Sequence, residues 1–250
     1  MTEGISAAAW AGMLVAVGFA GVLRGFTGFG FALAAVPLAS VVLAPARVVP
    51  VVILLQLAIG TRDCVRERRL ADRFSITRLT VGCVFGTPLG VAALALLPGA
   101  VTRLALGLIV LVAVVVTWRP PALPRQRRTG LAVLAGVASG ICNGLAAMGG
   151  PPAVLYFLSV EPDRAVTRSS LMIYFALASA IVLPGAVLAG LVDRTVLLLS
   201  LGTFPVMLLG GWLGTWGFRR AGHRSYRVAA AFALLLTALA AIGKGVAGLL

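Results

Sequence analysis

The chain has 250 residues, 60% of them hydrophobic and only 11% charged, and its mean hydropathy is +1.07. Soluble domains of this length do not have such a composition, so the sequence predicts an all-helical protein that crosses the membrane several times. The net charge of +14 comes from arginines grouped between apolar runs, without the interleaved aromatic residues of a nucleic-acid platform, so nucleic acid is excluded as a partner.

Chemistry based on a metal or a cofactor finds no support in the composition. The single histidine, His223, and three widely separated cysteines provide neither a C-x-x-C pair nor the ligands of a zinc site. We therefore predict no cofactor, no metal and no catalytic residues.

The first apolar run extends over residues 5–46, and Arg24 is its only charge. Folded as one helix, it would be roughly twice the ~20 residues that cross a bilayer. The glycines at 21, 25, 28 and 30 disfavour a continuous helix, since glycine costs about 1 kcal/mol against alanine inside one. A break at this depth is tolerated only where it lines a cavity or is buried in protein, so it indicates a solute site.

The remainder of the first half alternates between apolar spans and arginine-rich segments. Residues 48–61, 79–102 and 104–118 are predicted spans, and residues 62–78 are predicted to be a water-facing connection. Gly82, Gly86 and Gly90 recur at four-residue spacing, which puts small residues on one helix face. The proline-rich basic stretch 119–128 is the predicted linker between a first membrane repeat, 1–118, and a second, 129–250.

In the second half, residues 129–160 carry no charge, and two interruptions are predicted, at Asn143-Gly144 and at residues 149–152. Further spans are predicted over 169–192, ending near Pro184, over 195–218, and from residue 228 onward. All the acidic residues, Asp63 included, are assigned to loops or their edges. The absence of an intramembrane carboxylate argues against a carboxylate proton relay.

The two halves share a sparse pattern. Gly25 and Pro37 recur 115 residues later as Gly140 and Pro152, and the Gly86-x-x-x-Gly90 pair recurs as Gly210-x-x-x-Gly214. If basic loops are cytoplasmic, the equivalent spans run in opposite directions. We therefore predict two inverted-topology repeats, each a broken or re-entrant helical hairpin plus three transmembrane helices, with about eight to ten membrane segments in all.

Two glycine-rich segments resemble the signatures of the sulfite exporter TauE/SafE family. They are A-G-V-L-R-G-F-T-G-F-G-F-A-L-A-A-V-P-L at 20–38 and G-V-A-S-G-I-C-N-G-L-A-A-M-G-G-P-P-A-V-L at 136–155. The resemblance implies a multi-pass protein of the cell inner (plasma) membrane that transports sulfite, sulfonates or related sulfur-containing anions. Arg24, Phe29 and Phe31 depart from the more glycine-rich first signature of many members.

The chemistry of the two breaks independently indicates an anion. A helix that begins after a break presents unpaired N–H groups and about half a positive charge, and Arg24 adds a donor fork. The predicted substrate-binding residues flank the breaks: Arg24, Gly25, Thr27, Gly28, Gly30, Asn143, Gly144, Gly149 and Gly150. Secondary candidates are Cys142, Met148, Ser169, Ser170 and Tyr174. Each has a structural alternative, such as helix packing for the glycines, capping for Asn143 or interface anchoring for Arg24.

The sequence therefore predicts a secondary transporter that moves a small anion by alternating access. The alternatives are an anion channel and an intramembrane enzyme, although the chain has no H-E-x-x-H or G-x-S-x-G motif. Its partners are the small anion and the lipid bilayer. The identity of the anion, the direction of transport, the coupling ion and the oligomeric state, a homodimer included, stay open.

Topology is the first testable consequence. We expect both termini outside and residues 62–78, 119–128 and 219–227 inside, because these segments hold most of the arginines. Single cysteines in a background lacking Cys64, Cys83 and Cys142 would be labelled with a membrane-impermeant thiol reagent. A cytoplasmic C-terminus would contradict the inverted repeat.

Overall fold

The computed structural model describes residues 6–27, 30–118, 128–161 and 163–220, together with Gly243 and Val246. Within these residues the chain folds into nine helices joined by short connections, which confirms the all-helical prediction. They are α1 (Ala7–Thr27), α2 (Phe31–Ala39), α3 (Pro45–Glu67), α4 (Arg73–Leu96), α5 (Gly99–Trp118), α6 (Thr129–Ala146), α7 (Gly150–Val160), α8 (Arg164–Leu188) and α9 (Arg194–Arg220). The predicted linker up to residue 127, Gly28 and the span predicted from residue 228 lie outside the described residues, apart from Gly243 and Val246.

Each half begins with a long helix, a break and a short helix. The first break lies between α1 and α2, where Gly30 has φ 92° and ψ 2°, a left-handed conformation that costs glycine nothing. The second lies between α6 and α7, where Ala147 takes the left-handed φ of 54°. Two predicted details are wrong, because Asn143 and Gly144 are helical residues of α6, and Gly25 continues α1. Small residues there pack against neighbouring helices, which offsets their low helix propensity.

The boundaries of α3 and α8 also differ from the prediction. The helix α3 continues through Asp63 to Glu67, which leaves only residues 68–72 as the connection to α4. Asp63 is 8% exposed and pairs with Arg24 on α1, so the sequence-based assignment of this carboxylate to a loop edge is wrong. The helix α8 begins at Arg164 instead of residue 169, and it ends at Leu188, four residues after Pro184 and thus close to the predicted end. Prolines are tolerated in membrane helices because neighbouring groups satisfy the carbonyl that loses its partner.

Two close helix pairs join the halves. The helix α4 packs along α6, and α1 packs along α9. In the α4–α6 pair, Gly82, Gly86 and Gly90 face the backbone of α6 so closely that a Cβ atom on Gly86 would overlap the carbonyl oxygen of Val137. In the α1–α9 pair, a Cβ atom on Gly25 would likewise overlap the carbonyl oxygen of Gly211. Glycine at these positions permits the backbone contact that drives helix association in lipid.

Contacts between connections define two ends of the bundle. At the end that we call the basic end, the N–H of Asp72 donates to Oγ of Ser170 at 2.8 Å, which brings residues 68–72 to the start of α8. At the opposite end, Nε of Arg103 donates to the carbonyl of Ser40 at 2.8 Å, which joins α5 to the connection between α2 and α3. Arg24 and Asp63 lie toward the basic ends of α1 and α3.

Six of the described helices are long and apolar enough to cross a membrane. Their outward faces carry large apolar side chains that none of the other described helices covers, among them Phe85 (69% exposed), Leu201 (72%) and Trp212 (65%). A surface of this kind suits contact with lipid tails. The chain is thus a multi-pass membrane protein.

The α4–α6 contact generates a stability prediction. Gly86→Ala would force the two backbones apart, and overpacking of this kind costs about 1–3 kcal/mol. The matched control is Gly130→Ala on α6, because nothing lies within 4 Å of a Cβ atom at that position. We expect a lower melting temperature in detergent for Gly86→Ala and an unchanged or higher one for Gly130→Ala. Equal melting temperatures would mean that the helices separate at no cost.

Candidate functional site

The two breaks meet at a pair of adjoining small cavities. The first is lined by residues of α1, α2, α3 and α8, and the second adds the break between α6 and α7; each encloses about 20 Å³. Both share Gly30, Phe31, Gln56 and Phe175. The first cavity also has Arg24, Gly60, Met172 and Ala176 in its wall, and the second has Ala32, Leu33, Ala147, Met148, Gly149 and Gly150.

Break 1, at Gly30, provides hydrogen-bond donors. Gly30 is the N-cap of α2 and makes no side-chain capping bond, so the first N–H groups of α2 lack the cap that usually satisfies one of them. The first turn contains no proline, and its Phe31, Ala32 and Leu33 all line the second cavity. The positive end of the α2 dipole therefore lies at the cavity wall.

Break 2, at Gly149, is poorer in donors and more rigidly held. The helix α7 begins Gly150-Pro151-Pro152, and the two prolines have no N–H group to offer. Oγ of Ser139 donates to the carbonyl of Gly149, and the hydroxyl of Tyr174 donates to Oγ of Ser139 at 2.7 Å. Since all three residues are buried, this chain of hydrogen bonds fixes the second break to α6 and α8.

The charge at the site belongs to an ion pair. Nη2 of Arg24, in the last turn of α1, contacts Oδ2 of Asp63 on α3, and the two side chains keep 16% and 11% of their exposure. Removing either partner of a pair this shielded from water would leave the other charge buried without a partner. That loss costs about 3–5 kcal/mol of stability. The guanidinium also lines the first cavity, so the arginine contacts both the carboxylate and the open space.

Gln56 links the two halves across the cavity. Its Nε2 donates to the carbonyl of Ala147 at 3.2 Å, so the middle of α3 is bonded to the backbone of the second break. The side chain lies in the wall of both cavities. A movement of α3 would therefore displace the backbone of break 2 or break this hydrogen bond.

The structure brings together only part of the set predicted from the sequence. Arg24, Gly30, Met148, Gly149 and Gly150 line the cavities. Gly25 and Gly144 face the backbones of α9 and α4, where packing accounts for the glycine. Of the predicted residues at break 1, Gly28 and the side chain of Thr27 lie outside the described residues.

The other predicted side chains have partners elsewhere. Nδ2 of Asn143 donates to the carbonyl of Ala178 at 3.0 Å and ties α6 to α8. Ser170 accepts the N–H of Asp72 at the basic end, and Tyr174 bonds Ser139. Ser169 is buried beside Ser170, and Cys142 is half-buried on α6. None of these five is among the residues that line the two cavities.

Sequence reasoning missed several residues of the cavity wall. Gln56 carried a usable signal, because it is the one amide in the apolar run 48–61. Asp63 was not predicted to lie in a helix or at the site, because the arginine-rich segment around it is typical of a loop. Phe175, Met172 and Ala176 are ordinary apolar residues of a span, and only the packing of α8 against α3 brings them to the cavity.

Comparison with known proteins yields one match. The model of the family described as "Sulfite exporter TauE/SafE" matches residues 13–241, which is nearly the whole chain. Neither the curated proteins nor the solved structures contain a significant match to this sequence.

The hydrogen bonds at break 2 predict energetic coupling. Tyr174→Phe removes one neutral hydrogen bond and should cost about 0.5–1.5 kcal/mol, whereas Ser139→Ala strands both the Tyr174 hydroxyl and the Gly149 carbonyl and should cost about 1–3 kcal/mol. The double variant should lose less free energy of unfolding than the sum of the two single losses, because both substitutions remove the same bond.

The control is Ser200→Ala on α9. The Ser200 hydroxyl donates to the carbonyl of Val196 in its own helix, so the loss in free energy of unfolding should be additive with that of Tyr174→Phe. Thermal unfolding in detergent measures all five variants; strict additivity for Ser139 and Tyr174 would contradict the bond.

Proposed function

The chain belongs to the sulfite exporter TauE/SafE family, a family of membrane transporters for sulfur-containing anions, and we propose that it moves such an anion by alternating access at the cavity between its two breaks. The substrate class is a small oxyanion such as sulfite or a sulfonate. One observation carries the proposal: the guanidinium of Arg24 and the uncapped N-terminus of α2 line adjoining spaces deep among the helices.

The chemistry of these groups suits an oxyanion. A guanidinium presents a planar fork of N–H donors that matches two oxygens of a sulfite or sulfonate group. The N–H groups at the start of α2 can receive a third oxygen, as helix N-termini do for phosphate and sulfate. Apolar walls from Phe31, Phe175 and Met172 strengthen these interactions by excluding water.

The cavities are too small to hold the anion as they stand. Each space of about 20 Å³ has room for about one water molecule, whereas sulfite has four heavy atoms. We infer that the hairpins and α3 or α8 move apart to admit the anion, and alternating access includes such a movement.

The relative directions of the helices support the inverted repeat. Contacts advance together along α1 and α9 and along α4 and α6, so each pair is parallel. Tyr174–Ser139 and Ala178–Asn143 make α8 parallel to α6, while Arg24–Asp63 and the contact of Gly12 with Val42 make α1 parallel to α3. Because a connection of only five residues reverses the chain between α3 and α4, we infer that α1 and α6 run in opposite directions, as alternating access around a central site requires.

Replacing Arg24 tests the site directly. We expect Arg24→Lys to keep part of the affinity for sulfite and Arg24→Ala to lose about ten- to a hundred-fold, which corresponds to one charge-assisted hydrogen bond. Binding is read from the ligand-dependent rise in melting temperature, because a ligand that binds only the folded state must stabilise it. Flux and counterflow of labelled substrate into proteoliposomes separate a carrier from a pore.

The control is Arg78→Ala. Arg78 is also half-buried near the basic end of the bundle, but it stacks on Phe74 and bonds Thr129 instead of lining the cavity. The Arg78→Ala variant should bind sulfite with the same affinity as the unmodified protein. Monodisperse Arg24→Ala protein with unchanged affinity would reduce Arg24 to a structural residue and move the site elsewhere.

A further inference from the structure

Arg24 at break 1 and Ser139 at break 2 occupy equivalent sequence positions in the two halves, and each contacts the next long helix of its own half. The 115-residue offset that relates Gly25 to Gly140 also relates Arg24 to Ser139. Arg24 joins α1 to Asp63 on α3, and Ser139 joins α6 to Tyr174 on α8. A neutral bond therefore suffices to hold a hairpin to its neighbouring helix, so the charged pair in the first half needs a different explanation.

We propose that Asp63 is an internal competitor of the transported anion: its carboxylate occupies Arg24 in the empty site, and the anion replaces it. The inference rests on the proposed function of the cavity. Asp63 is thus a positioning residue that sets the affinity of the site.

The geometry carries the competition. Arg24 contacts the carboxylate and lines the first cavity at the same time, so carboxylate and anion lie on the same guanidinium. A carboxylate and a sulfonate or sulfite group present similar oxygen edges to the donor fork. Two negative groups against one shielded cation repel each other, so occupation of Arg24 by the anion disfavours its occupation by Asp63.

The exchange breaks one contact and makes another. The bond between the Asp63 carboxylate and Nη2 of Arg24 breaks, and the anion forms bonds to the guanidinium; release of the anion reverses both steps. Affinity is therefore lower than at an unoccupied guanidinium, because each binding event has to break a charge-assisted hydrogen bond.

The test measures sulfite affinity for the unmodified protein and for Asp63→Asn at one pH and ionic strength. We expect Asp63→Asn to bind about ten- to a hundred-fold more tightly, because a charge-assisted hydrogen bond no longer has to be broken. Asp193→Asn, which removes an exposed carboxylate that caps α9 toward the opposite end, is the control and should follow the unmodified protein.

A conservative variant keeps the test decisive if Asp63→Asn does not yield folded protein. Asp63→Glu keeps the carboxylate but moves it by one methylene, so we expect the affinity to change. A purely structural Asp63 would lower the melting temperature in Asp63→Asn yet leave the affinity as it was, and this result, or a Glu variant identical to the unmodified protein, would overturn the inference. Failure of the unmodified protein to bind sulfite, thiosulfate or methanesulfonate would overturn the proposed function together with it.

Discussion

The close approach of helix backbones in the α4–α6 and α1–α9 pairs is the constraint on which the rest of the structure depends. In lipid there is no hydrophobic force to press helices together, so packing must come from surfaces that fit. Glycines such as Gly86 and Gly25 let backbone meet backbone, and a single Cβ atom at either would collide with a carbonyl oxygen. Each pair joins a helix of one half to a helix of the other. The halves are thereby held as one body around the two breaks.

Within that body the breaks have different chemistry although they arise from similar sequence. Break 2 is held by the Tyr174–Ser139–Gly149 chain of neutral hydrogen bonds, and Pro151 and Pro152 leave its helix with few free donors. Break 1 has an uncapped α2 N-terminus and the Arg24–Asp63 pair. In the proposed site the donors for the anion are thus concentrated in the first half, and the second half supplies a wall held by hydrogen bonds. Gln56 joins the two through the carbonyl of Ala147.

The Arg24–Asp63 pair also places a carboxylate where the sequence predicted none. The Asp63 side chain is shielded from water and contacts the same guanidinium that lines the first cavity. In the proposed exchange the anion takes the place of this carboxylate, and bonds to a desolvated guanidinium are strong.

The amino-acid sequence alone determined the membrane class, the family, the positions of the breaks to within a few residues and the presence of Arg24 beside one of them. These follow from composition and local chemistry, because apolar length, glycine content and proline act on the segment that contains them. It also indicated that α4 has a face of small residues, but not that α6 packs there.

The tertiary structure decided which side chains meet. Asp63 lies 39 positions from Arg24, and Gln56 lies 91 positions from Ala147, so their contacts depend on the rotation and neighbours of whole helices. The same rotation turned Gly25, Gly144 and Asn143 away from the cavity and brought Phe175 and Met172 to it. Spacing along a helix tells which residues share a face. Which helix that face meets depends on how all of them pack together.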